Sequence, residues 1–316
     1  MSYSFLINEQ NWRARLEPLL TQPVTVYKEA LTNNHYEGDI KSKAVLNIIT
    51  LGELTYGSYT GADITYQTPT ESEVQLTIDQ TPIVPFFIDD PQQVTTEVQL
   101  LDVYSQRAAY QILRAYDDYL ASLWTEITTN ILGAGSGAWS AGGYSGTGPV
   151  VVGFDASANQ MLPSTALAAL RQIAVQNNAF QAGKGMPNIV IPPWLDSMIR
   201  QELGLRVGNL GDQMKMSGTG TGKSEGLSGF AGWGDIYVSN LVPNVSGAAY
   251  KVMGGVPDSS ITFASAYEKT EALRSTTKVG TLVRILAIFG ATIPFEGHMA
   301  LGTFNPGSYL TNPRSF

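Results

Sequence analysis

The chain has 316 residues, a length of one or two domains, which is enough to bury a core without covalent staples. It contains no cysteine, which excludes a disulfide framework, a thiolate zinc site, an iron–sulfur cluster and a thiol nucleophile. Charged residues are 15% of the chain, against about 25% in ordinary soluble domains, and the net charge of −8 argues against a nucleic-acid reader built on a basic stripe.

Residues 1–37 read as an arm with short helical pieces. Asn8 or Asn11 can cap a turn through Leu16, and a second short helix is expected around Val24–Leu31, ended by Asn33-Asn34. Residues 38–88 read as β. Ala44–Leu51 is aliphatic, Gly57–Gly61 is a turn-rich tip, and Val74–Ile78 alternates apolar and polar with period two. Ile83–Ile88 is a further apolar strand. Two long strands around a glycine-bearing turn predict an extended hairpin.

Asp89-Asp90-Pro91 is a helix start, with Asp90 as cap and Pro91 at the first position. Neither glycine nor proline interrupts Gln92–Leu132, so an unbroken helix of roughly 60 Å is predicted. Its apolar stripe runs Val94, Val98, Leu101, Ala108, Ile112, Ala115, Tyr116, Tyr119, Leu123, Ile127 and Ile131, skipping at Ser105. Tyr104, Tyr110, Leu120 and Trp124 broaden the stripe beyond a coiled-coil seam, which favours a strut packed on a sheet.

Gly133–Gly148 is a glycine-rich connector. Ser164 is expected to cap a helix over Thr165–Gln181. Asn188–Ile191 reads as a buried strand, Pro193 opens a helix through Leu203, and Gly204–Gly229 is a polar loop. Asp235–Ser239 and Tyr250–Met253 read as strands, and Ile261–Leu273 and Val279–Ile293 as a long pair around Arg274–Lys278. Residues 294–316 read as a tail. Leu282–Ile293, the longest apolar stretch near the C-terminus, contains Arg284 and falls well short of the ~20 residues of a membrane span, and Met1–Arg15 lacks the pattern of a secretory signal.

No constellation carries catalysis. Gly218–Ser224 ends like a phosphate-binding loop, with Lys223 and Ser224 in place. Its register fails, because Ser217 stands where the first glycine belongs, and neither a strand before it nor a helix after it is expected. Only His35 and His298 exist, which leaves no His-based triad or multi-His metal site. Glu296 lies near His298 and the pair could meet, and Asp117-Asp118 should turn one carboxylate to solvent. No cofactor and no metal site is expected. Trp139 and Tyr144 either anchor the glycine-rich connector or bury at a subunit interface.

The order of parts is arm, long hairpin, long helix, glycine hinge, compact α/β region and closing strand pair. It resembles the major capsid proteins of tailed bacteriophages, the Hong Kong phage capsid fold. Gly38-Asp39-Ile40, Val74–Ile78 running into Phe86–Asp90, Gly229-Phe230 before Asp235–Pro243, and Ile261–Arg274 with Val283–Ile285 and Phe289–Ala291 carry the resemblance. It implies an α+β class with an N-terminal arm (1–37), extended loop (38–88), spine helix (89–132), hinge (133–150), axial domain (151–258), peripheral strands (259–297) and C-terminal tail (298–316). It also implies a non-enzymatic shell subunit, forming hexamers and pentamers of an icosahedral virion capsid assembled in the host cytoplasm. Expected partners are further copies of the chain, a separate scaffolding protein, a portal and a decoration protein, with DNA held only by enclosure and no membrane. Candidate intersubunit contacts are Lys41 and Lys43 at the loop base, Tyr56, Tyr59, Glu71 and Glu73 along the loop, and Trp139 and Tyr144 in the hinge. An encapsulin-like compartment shell, and a nucleotide-binding enzyme using the 217–224 loop, are the alternatives.

Overall fold

The computed structural model describes residues 25–36, 45–52, 54–58, 61, 66–90, 100–133, 148–154, 160–180, 185–206, 229–245 and 249–307. Its elements form two layered units joined by a short helix. The chain enters through helix α1 (Val26–Leu31) and strand β1 (Thr32–Asn33). A hairpin follows, of β2 (Val45–Leu51) and β3 (Glu71–Thr77), and then β4 (Ile83–Asp89).

The long helix, α2, spans Leu100–Ser122, about 35 Å, and passes into a 3₁₀ turn at Leu123–Glu126. Residues 91–99 lie outside the described residues, so the proposed Asp90-Pro91 start falls there in part. The expected C-terminal end at Leu132 is corrected. Thr125, Ile127, Thr128 and Thr129 are β-branched and lose rotamer freedom in a helix. Asn130 then takes a left-handed φ of 54°. Its amide donates to the carbonyls of Gly297 (2.9 Å) and Met299 (2.8 Å), fixing the reversal.

The first sheet has the order β1-β10-β11-β4, with β10 at Ile261–Arg274 and β11 at Gly280–Thr292. The β10–β11 pair is antiparallel from Thr262/Thr292 to Arg274/Thr281, with a bulge at Ser265/Tyr267. Val283, Ile285, Ala287 and Phe289 alternate onto the inner face and are buried. Against them α2 sets Ala108, Ile112, Tyr116 and Leu120, a four-residue spacing along one helix face. Tyr116 meets Phe289 edge-on at 4.5 Å and Phe263 at 5.4 Å.

The second sheet contains β5 (Ile131–Leu132), β6 (Val150–Val151), β7 (Asn188–Ile191), β8 (Ile236–Val238), β9 (Tyr250–Gly255) and β12 (Met299–Asn305). Its order is β5-β12-β9-β7-β8, with β6 also on β12. The tail expected over 294–316 is therefore corrected: Met299–Phe304 is buried along its whole length and pairs with β9, β5 and β6. Helices α3 (Pro163–Gln176) and α4 (Pro193–Arg206) belong to this unit. Ser164 does not cap α3. Leu162 holds the cap position, and Ser164 gives its N–H (2.8 Å) and its hydroxyl (2.5 Å) to the buried Glu202 carboxylate of α4. Trp233, fully buried, donates its indole N–H to the Leu167 carbonyl at 3.1 Å.

Candidate intersubunit surface

The hairpin is an isolated two-stranded sheet. Its register places Val45, Asn47, Ile49 and Leu51 opposite Thr77, Gln75, Glu73 and Glu71 on one face. The other face carries Leu46, Ile48, Val74 and Leu76. There, Ile48 and Leu76 are buried with Ala264 of β10, and Tyr36, Leu46 and Ile78 pack around them. The base is held by backbone as well: Gln80 exchanges N–H···O bonds with Phe289 at 3.1 and 3.0 Å.

Among the described residues nothing covers the first face. Ile49 is 65% exposed and Leu51 is 73% exposed, and beyond them Leu54 is 67% exposed. Tyr56, near the tip, stands fully in solvent, as does most of Tyr66. Below the tip the Gln67 amide accepts from the Thr55 N–H at 3.0 Å and donates to the Thr55 carbonyl at 2.7 Å. Glu71 and Glu73 form an acidic row beside the apolar one. A ribbon with one apolar face bare is the geometry of a segment that binds rather than a free surface.

The outer face of the β1-β10-β11-β4 sheet is the second such surface. Pro85, Phe87, Leu273, Leu282 and Arg284 line a groove of about 400 Å³ there. Leu273 and Leu282 are about half exposed. The Arg284 guanidinium donates to Glu271 at 2.6 Å, and Lys269 also pairs with Glu271. Hydrogen bonds from Lys269 and Arg284 hold the Glu271 carboxyl below the usual range. At the distal end Arg274 pairs with Asp90 at 2.7 Å, and the Lys278 ammonium lies 5.8 Å from the Phe87 ring.

Of the candidate contacts, Tyr56, Glu71 and Glu73 lie on this exposed hairpin. Lys41, Lys43, Tyr59, Trp139 and Tyr144 lie outside the described residues, as does the 217–224 loop. The sequence reading missed Ile49, Leu51 and Leu54, although the period-two pattern of 45–51 could have placed them opposite the buried face. At the expected acid–histidine pair, Thr128 donates to Glu296 at 2.7 Å and the His298 ring lies 5.2 Å from that of Phe295. Among the described residues no group of three or more His, Cys, Asp or Glu could hold a metal ion. None of their helices is long and apolar enough to cross a membrane.

No family model and no curated protein matches the chain. Solved structures do. A protein of Mycobacterium phage Che8 is 18% identical at a TM-score of 0.60, over 89% of this chain and 91% of that one. The capsid of Ralstonia phage GP4 is 9% identical at a TM-score of 0.59, over 89% of this chain and 87% of that one. The chain has the Hong Kong phage capsid fold. The capsid of cyanophage P-SCSP1u, 14% identical with a TM-score of 0.58, covers 87% of the chain and 85% of its own.

Proposed function

We propose that the chain is the major capsid protein of a tailed phage, assembling through further copies of itself into hexamers and pentamers of an icosahedral shell around double-stranded DNA. The bare apolar face of the hairpin carries this reading. A two-stranded ribbon that, among the described residues, is anchored at its base alone needs a cover, and in a shell a neighbouring copy supplies it. The role is structural, with no catalytic step. The glycine-rich 133–150 segment is the hinge between peripheral and axial units, and the low surface charge fits a molecule surrounded by its own copies. A separate scaffolding protein, a portal and a decoration protein are the partners in this reading, and assembly takes place in the host cytoplasm.

Negative-stain microscopy of the purified chain, expressed with and without a scaffolding protein, tests it. Closed shells tens of nanometres across are expected; subunits that stay monomeric under both conditions refute it. A compartment shell is the second reading, favoured by the likeness to a virus-like particle from Pyrococcus furiosus, 11% identical at a TM-score of 0.53 over 93% of this chain and 98% of that one. Nuclease-protected DNA inside particles from infected cells separates the two.

A further inference from the structure

Helix α1 has six residues, far below the length at which a helix is stable by itself. Tyr27, Ala30 and Leu31 are nevertheless wholly buried. Side chains from two different units hold its ends. At the N-terminus the backbone N–H groups of Val26, Tyr27 and Lys28 donate to the Asp117 carboxylate of α2 at 2.7, 3.1 and 3.3 Å. At the C-terminus Asn188 of β7 donates to the Ala30 carbonyl at 3.1 Å, while its own oxygen accepts the Asp235 N–H at 3.0 Å. Beyond it, β1 pairs with the edge of β10 and Asn33 donates to the Asp258 carbonyl at 3.0 Å. One short helix thus ties the spine and peripheral sheet to the axial sheet.

We propose that α1 is a reversible clasp between the two units and that Asp117 sets how tightly it closes, with acid closing it further.

The surroundings of Asp117 fix the direction. The residue is 4% exposed. From α1 it faces Tyr27 and Lys28, with Glu29 next along the same helix; the Lys28 ammonium lies over the rings of Tyr116 (5.4 Å) and Phe263 (4.6 Å). On its own helix are Asp118 and Arg114, 3.7 Å apart as an ion pair. From the axial side a cleft of about 360 Å³ brings Ser239 and Asn240, both uncharged, and β10 brings Phe263. Asp235 and Asp258 lie at the other end of the clasp. Burial pushes the Asp117 carboxyl up to about 6 from 3.8, against the three N–H donors that pull it down, and Asp118 adds a smaller push upward.

When α1 leaves, the carboxyl regains water and its ordinary affinity for protons. The closed state therefore binds the proton more tightly, and closure is favoured as the pH falls through about 6, fully so below about 4. The same shift makes closure about tenfold stronger at about pH 5 than at about pH 7.5.

Hydrogen–deuterium exchange on the unassembled full chain, corrected for the intrinsic pH dependence of exchange, reads this directly. Relative to β7 and β9, the opening constant of residues 26–32 should fall about tenfold from about pH 7.5 to about pH 5 in the wild type, and change less than about twofold in Asp117→Asn. A flat wild-type profile, or an unchanged slope in Asp117→Asn, overturns the proposal. Should that variant not fold, carboxyl-carbon NMR of wild-type Asp117 decides. A midpoint near 6 supports the clasp, and a midpoint at or below about 4 overturns it.

Discussion

Gly290 shows how a single residue can hold the hairpin in place. A Cβ there would sit 2.0 Å from the Thr77 carbonyl oxygen and 2.9 Å from the Ile78 Cα, both backbone atoms of the segment leaving β3. Neither atom can rotate away, so Gly290→Ala forces the strands apart. A loss of about 2 kcal/mol is expected in urea unfolding, together with loss of shell formation. Phe289, next to it, is buried and touches Tyr116 and Tyr119 edge-on at 4.5 and 5.6 Å. Phe289→Ala should cost about 3–5 kcal/mol, measured the same way. At this scale the sequence was legible where the contact is local. It called for one solvent-facing carboxylate of Asp117-Asp118, and Asp118 is that residue. It could not show that Asp117 caps a helix about 90 positions away, or that Glu202 rather than Ser164 meets the start of α3.

Elements that bury one face announced themselves. Strands β2, β3, β10 and β11 lie within a few residues of their expected positions because alternation survives in each. Strand β12 has both faces covered, so its sequence carries no alternation and reads as a tail. The end of α2 was hidden differently: no glycine or proline marks it, and the β-branched run after Trp124 is a weaker stop signal. The two faces of the hairpin give opposite predictions. Leu76→Ala empties a fully buried site at the base and should cost about 2–5 kcal/mol of subunit stability. Ile49→Asp, on the bare face, should leave urea unfolding of the subunit within about 0.5 kcal/mol of wild type, yet abolish shells in negative stain. Shells formed by Ile49→Asp at wild-type yield would show that this face is not an interface.

Across the whole molecule, charge and apolar surface make competing demands on assembly. Each copy carries a net −8, so the proposed shell would bring many like-charged copies together. The surface most in need of a cover is apolar, through Val45, Ile49, Leu51 and Leu54. Added salt screens the repulsion over a Debye length that shrinks from about 14 Å at ~0.05 M to about 6 Å at ~0.3 M, and leaves apolar burial in force. Light scattering should therefore show faster assembly as sodium chloride rises through that range. The acidic row of Glu71 and Glu73 sharpens the test, because it would pull the other way if it met cations such as Lys278 or Arg284 on a neighbour. Where such pairs dominate, salt slows assembly and Glu71→Gln with Glu73→Gln slows it further. Where apolar burial dominates, the same double substitution removes repulsion and speeds assembly at low salt. The extreme exposure of Ile49 and Leu51, set against only two carboxylates on that face, favours the second outcome.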